Sequence, residues 1–250
     1  MNRPSQAAVM FLLGAALLHA GSTGLYLRYV KAGLQPLLLA SGAVLIAGAL
    51  ATVWYEHRRN RRQGHTPAES DGHGHGHGHA HPEPRVSWLL LLPLLALILV
   101  APPALGSYSA LRSGTALQKP YDLGPLPRGS GPVPLSVVDY ASRAAYGHGR
   151  SLDGRPVRVT GFLALDGSGA PYLVRMALNC CAADAQPIKI ALTGQLPPVL
   201  RPDAWLQVTG SYSPRLGRDP VNNGPIPYLS VTSAQPVPVP HDPYDETWNN

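Results

Sequence analysis

Three stretches of the chain are apolar without a period, and one later region alternates. From Ala7 to Leu27 and from Leu34 to Tyr55 almost every residue is apolar, small or aromatic, and Arg, Lys, Asp and Glu are absent. About 20 such residues suffice for a membrane-spanning helix, so both stretches predict one. Trp88 to Leu105 is a third, shorter candidate, nearly pure Leu from Leu89 to Val100, with Pro93 inside and Trp88 at the interfacial position. The competing readings are a signal peptide for the first stretch and a buried core helix for the third. Leu18-His19-Ala20 is a poor cleavage site, so three membrane helices are expected.

Beyond Leu105 the pattern changes. Gly106 to Pro134 is rich in Gly and Pro without a period and predicts a stalk. At Ser136 a helix begins, with Asp139 as a capping-box variant; Val137, Tyr140, Ala141 and Ala144 share one face, and Gly147 ends it. Five strands are predicted after it. Val157, Val159, Leu163 and Leu165 share a face of the first, and Tyr172, Val174, Met176 and Leu178 a face of the second. Ile188, Ile190 and Leu192 mark the third, Leu206, Val208 and Tyr212 the fourth, Leu229 and Val231 the fifth. Gly161 and Gly210 fall inside strands, where barrels bend or bulge. Five short strands with one preceding helix predict an OB-like barrel, with a sandwich as second choice. The expected organisation is a membrane part over residues 1–105, a stalk over 106–134 and a mainly β domain over 135–250.

Charge then orients the chain. Its 250 residues carry a formal charge of +6. Arg58, Arg59, Arg61, Arg62 and Arg85 flank the loop between the second and third apolar stretches, which places residues 56–87 in the cytoplasm. The amino terminus then lies inside, and the Arg28–Lys31 turn and the β domain lie outside the cytoplasmic membrane. The positive charge is thus mainly a topology signal, and nucleic acid is excluded as a partner of the outer domain.

Within the cytoplasmic loop, His73, His75, His77, His79 and His81 alternate with Gly or Ala. Imidazole suits Zn, Cu, Ni and Co, so the tract reads as a metal-collecting loop, to which His57 and His65 could add ligands; a chance low-complexity linker is the bland alternative. The two cysteines, Cys180 and Cys181, are adjacent at the end of the second strand. Consecutive Cα atoms lie about 3.8 Å apart, too close for an unstrained disulfide. Three readings stay open: a soft-metal site with Asp184 as a third donor, a redox switch, or a structural pair with one thiol packed and its neighbour exposed. His148, His241 or a partner protein would complete a tetrahedral set. Arg175, if it folds nearby, would lower a thiol pKa. His19 is the ionisable group of the first apolar stretch, and Gly14, Gly21 and Gly24 leave a smooth face for another helix. Gly-rich phosphate loops, catalytic triads and paired carboxylates are absent from the sequence, so an enzyme is not expected.

The run Arg175-x4-Cys180-Cys181-Ala-Ala-Asp184-Ala-Gln-Pro187, with Asp203-Ala-Trp205-x-x-Val208-x-Gly210 and Gly154-Arg-Pro-Val-Arg-Val-Thr-Gly161-Phe162, resembles the YcgQ-like group of bacterial permease subunits. The resemblance implies a separate multi-helix permease as partner and a link to zinc or other metal supply. It carries over Cys180, Cys181 and Asp184 as its motif; the histidine tract and third helix look like additions to it. A non-enzymatic accessory subunit is the expected function. A membrane-tethered thiol redox protein and an envelope interaction protein without a small ligand are the alternatives.

Overall fold

The computed structural model describes residues 3–63, 103–152 and 154–245. The chain divides into two units. The first holds α1 (Arg3–Thr23) and α2 (Gln35–Gln63). The second holds the described residues from Pro103 onward together with Leu27–Ala32, the middle of the connection between α1 and α2.

Among the described residues two helices, not three, are long and apolar enough to cross a membrane. Of the third expected span, residues 88–102 lie outside the described residues, and 103–105 are not helical. The histidine tract from His73 to His81, and His65, also lie outside them. α1 stops at Thr23, short of the expected Leu27, because Gly24 takes a φ of +75°, the left-handed conformation that closes helices. Gly24 is therefore a terminator, whereas Gly14 and Gly21 do form the smooth face. A Cβ on Gly14 would stand 2.8 Å from the Gly42 carbonyl oxygen, and one on Gly21 2.8 Å from Leu39. In an apolar medium such close backbone approach, rather than apolar burial, holds helices together. α2 runs past the expected Tyr55 through the charged run to Gln63. Glu and Arg are good helix formers, and the Arg58 guanidinium stacks 4.4 Å from the Trp54 ring one turn earlier. His57 is thus helical and not part of a loop. His19 is exposed on α1, one turn before its end.

The second unit is built around five strands: β2 (Val157–Leu165), β3 (Pro171–Ala177), β4 (Gln186–Gly194), β5 (Trp205–Arg218) and β6 (Pro225–Pro236), which follow β1 (Val133–Leu135). Pairing runs β2–β3–β4–β6–β5 and back to β2, with β4 and β6 parallel and the other four pairs antiparallel. This is a closed Greek-key barrel with the strand order of an OB fold. Each predicted strand is present. Val157, Val159, Leu163, Ile188, Ile190, Leu192, Leu206, Val208, Leu229 and Val231 fill its interior. Gly210 sits where the β5–β6 register shifts, and a Cβ there would stand 2.3 Å from the Ser230 carbonyl oxygen. The helix α4 (Val137–Ala145) starts at Ser136, whose hydroxyl accepts the Asp139 N–H at 3.0 Å as the capping pattern predicts. Its buried Val137, Tyr140, Ala141 and Ala144 join the same core.

Two features depart from the alternation argument. Strand β3 turns Leu173 and Ala177 into the barrel, while Val174, Met176 and Leu178 face outward into a second apolar layer. Phe162, Ala164, Trp205, Ala110 and Tyr244 complete that layer, so this part of the sheet is buried on both sides. The expected stalk is no stalk but a strap laid on the barrel. It contains a short helix α3 (Ser107–Arg112) and β1, which pairs in parallel with Val157–Val159. Between them Ala116 N–H donates to the Pro187 carbonyl, and Arg143 and Arg155 donate to strap carbonyls at Leu123, Gly124, Pro127 and Gly129. A Gly/Pro-rich segment thus exchanges water for fixed donors, which no hydrophobic period announces.

The strap is pinned by a buried ion pair. Lys189 Nζ lies 2.8 Å from Asp219 Oδ2 and donates to the Ser113 carbonyl at 2.8 Å, and the side chains are 3% and 0% exposed. The Asp219 carboxylate also accepts the Thr115 and Val221 N–H groups, each at 2.9 Å. Removing one member of a buried pair leaves the other charge unpaired, at a cost of about 3–5 kcal/mol. Lys189→Met should therefore destabilise the domain by that amount in guanidinium unfolding followed by near-ultraviolet circular dichroism. Lys189→Met with Asp219→Leu should recover only part of it, because Thr115 and Val221 then lose their acceptor.

Candidate functional site

Strand β3 ends at Ala177 and β4 begins at Gln186; the connection carries Cys180, Cys181 and Asp184. It closes through a one-turn 3-10 helix, Ala182–Asp184, which folds the Asp184 side chain back over the preceding residues. Asp184 Oδ1 accepts the Asn179 N–H at 3.0 Å; Oδ2 accepts the Cys180 N–H at 2.9 Å and the Cys181 N–H at 3.4 Å. Three consecutive amides converging on one carboxylate fix the turn and set the two thiols beside it.

The ligand atoms of Cys180, Cys181 and Asp184 all lie within 4.8 Å of one another. Both cysteines are free thiols, Cys180 exposed and Cys181 half-buried. Of the donors proposed from the sequence, Asp184 is brought to the thiols, whereas among the described residues neither His148 nor His241 joins the group. Arg175 does not serve it either. Its guanidinium lies 5.0 Å from the Trp205 ring and donates to the Tyr244 and Asp242 carbonyls. A cavity of about 400 Å³ adjoins the turn, lined by Asp184, Gln186, Asn222 and Ser113 among others.

The electrostatics follow from these contacts. The thiol of Cys180 hydrogen-bonds to the Asp184 carboxylate and to Cys181, and with the negative charge beside it this pushes its pKa up to about 12. Burial pushes Asp184 upward, but the Cys180 thiol and the amides of Cys180, Asn179 and Cys181 outweigh it and hold the carboxyl below its usual range. The turn thus keeps a proton on sulfur and a charge on oxygen. That is the reverse of a reactive cysteine, whose thiolate is stabilised by positive surroundings. It suits a cation, which would take the proton's place between sulfur and carboxylate.

A further strand of chain reaches the turn, and the sequence reading missed it. Val30, midway between α1 and α2, forms an antiparallel bridge with Cys181: Lys31 N–H donates to the Cys180 carbonyl at 3.1 Å, and Ala182 N–H to the Tyr29 carbonyl at 2.7 Å. Tyr244, in the two-residue strand β7 (Tyr244–Asp245) beside β3, secures the same segment. Its hydroxyl donates to the Arg28 carbonyl at 3.1 Å and accepts the Leu105 N–H at 3.1 Å. The local signal was the β-forming pair Tyr29-Val30 between two basic residues, too short to stand out.

A family model described as the DUF1980 C-terminal domain matches residues 143–245, from the end of α4 through β7 and including the cysteine turn. No curated protein and no solved structure matches the chain.

The raised Cys180 pKa gives a direct expectation. An acid whose pKa is raised stays protonated to higher pH, so at pH 8 Cys180 should alkylate at least tenfold more slowly than an ordinary exposed thiol with pKa about 8.5. Its rate should still climb above pH 9. Asp184→Asn, which removes the adjacent charge, should speed alkylation at pH 8; mass spectrometry of iodoacetamide-treated protein distinguishes Cys180 from Cys181 only by fragmentation and should be read that way.

Proposed function

We propose that the chain is a non-enzymatic, membrane-anchored accessory subunit of a two-component permease, and that its OB-like domain receives a thiophilic cation such as zinc at Cys180, Cys181 and Asp184. The observation that carries the reading is the convergence of two thiols and a carboxylate on one turn, held by three amides and by the segment between the two apolar helices. Three donors leave a coordination position open, the arrangement of a site that exchanges its ligand rather than one that seals a structural ion. The cation is cargo here, not a resident cofactor.

Several observations support the wider setting. α1 and α2 are apolar enough to cross a membrane, and the middle of their connection, Leu27–Ala32, belongs to the same unit as the barrel, in keeping with both lying outside the cytoplasm. The arginines at the end of α2 favour the cytoplasmic side for that end. The apolar helices among the described residues carry few polar groups and do not line a pathway, which argues for a separate multi-helix permease as partner. The DUF1980 match over residues 143–245 supports kinship with the YcgQ-like permease subunits. Thiol–disulfide chemistry is disfavoured by the protonated Cys180.

The full chain in detergent micelles should bind Zn(II) or Cd(II), the latter with a thiolate charge-transfer band. Cys180→Ser with Cys181→Ser should abolish the band and weaken binding at least a hundredfold, and affinity-tagged chain should co-purify a multi-helix membrane protein from its native host. Unchanged affinity in the double variant would sink the metal reading, and purification of the chain alone would sink the permease reading.

A further inference from the structure

Adjacent residues of an extended chain point to opposite sides, so two neighbouring thiols serve one ion only if the peptide unit between them is held in a particular rotation. Cys181 is extended, with φ −154° and ψ 169°. The peptide unit that separates the thiols consists of the Cys180 carbonyl and the Cys181 N–H. Both of its polar ends are held. Asp184 Oδ2 takes the N–H at 3.4 Å, and the Lys31 N–H, from the segment between α1 and α2, takes the carbonyl at 3.1 Å. The following amide, Ala182 N–H, is held by the Tyr29 carbonyl at 2.7 Å. One grip on this peptide belongs to the turn itself, and the other comes from a segment about 150 residues away in sequence.

We infer that the inter-helix segment Tyr29–Lys31 is a positioning element of the thiol pair, so that cation affinity at Cys180, Cys181 and Asp184 depends on this segment being docked, and cation binding in turn tightens the docking. This rests on the cation reading of the site proposed above. If Tyr29–Lys31 leaves, the Cys180 carbonyl loses its donor, the peptide unit keeps only the longer Asp184 contact at its other end, and the separation of the two sulfurs is no longer fixed. Docked and undocked states therefore differ in the distance between the ligand atoms, which is the differential contact that coupling between two sites requires. Because the segment is spliced directly between α1 and α2, any rearrangement of these helices that pulls on it would release the cargo, and capture of cargo would resist that rearrangement. The contact is made through main-chain groups, so the device tolerates changes of side chain at Lys31 but not loss of its N–H.

The test uses the full chain in micelles with Zn(II) or Cd(II) alone as probe. Lys31→Pro removes the N–H and should weaken binding by roughly three- to tenfold, the equivalent of one part-exposed hydrogen bond, whereas Lys31→Ala, which keeps it, should bind as wild type. Independently of any variant, amide exchange in wild-type chain should slow over residues 28–32 and at Ala182 when the cation is added. Wild-type chain that binds the cation with unchanged exchange at both places, or equal affinity in Lys31→Pro and Lys31→Ala, overturns the coupling and leaves the metal site standing. Wild-type chain that binds neither cation overturns the site and the coupling together. If Lys31→Pro does not fold, the exchange measurement alone decides.

Discussion

Strand β2 gives one edge to β5 and divides the other, pairing with β1 at Val157–Val159 and with β3 at Phe162–Leu165. β3 in turn divides its edge between β2 and β7. A barrel of five strands is narrow, and closing it forces backbones together: a Cβ on Gly161 would stand 2.6 Å from the Val174 carbonyl oxygen. Closure leaves β2 and β3 splayed at their far ends, and β1 and β7 fill the two gaps so that the ladder hydrogen bonds continue. The rest of the unit follows. α4 fills the interior from one end, the strap arrives as β1, and β7 places Tyr244 beside the turn that leaves β3.

That geometry explains where chemistry is available. Several of the domain's charged side chains hold elements together: Arg175 secures β7, Arg143 and Arg155 secure the strap, and Lys189 with Asp219 ties strap to barrel. The β3–β4 turn differs because its carboxylate accepts the turn's own amides and holds the two thiols beside it, Cys180 exposed and Cys181 half-buried. Asp, rather than a longer acid, suits this task. The side chain must reach back only three to five residues within a single 3-10 turn, and one more methylene would carry the oxygens past the amides they accept.

The parts of the fold that were legible in the sequence are those written in local period. The inward valines, isoleucines and leucines of β2, β4, β5 and β6, the Ser136 cap and the bulge glycine Gly210 all announce themselves within a few residues. So did Asp184, three residues after Cys181. The face of β3 was misleading because both of its sides are buried: alternation identifies a strand but not which side meets the barrel when Trp205 and Tyr244 cover the other. The strap was illegible for a different reason. Its carbonyls are satisfied by arginines from α4 and from the β2 approach, and backbone acceptors leave no signature in composition. Lys189 carried a faint signal, a cation between Ile188 and Ile190, but the residue that neutralises it lies thirty positions on.

The pairing of Val30 with Cys181 is the most distant of these and shapes the domain's attachment. Here the barrel holds the chain at two places far apart in sequence: Ala182 N–H donates to the Tyr29 carbonyl, and a single phenol, Tyr244, donates to the Arg28 carbonyl and accepts the Leu105 N–H. The cysteine turn lies beside these contacts, in the same unit as Leu27–Ala32, which is the juxtaposition the proposed coupling requires.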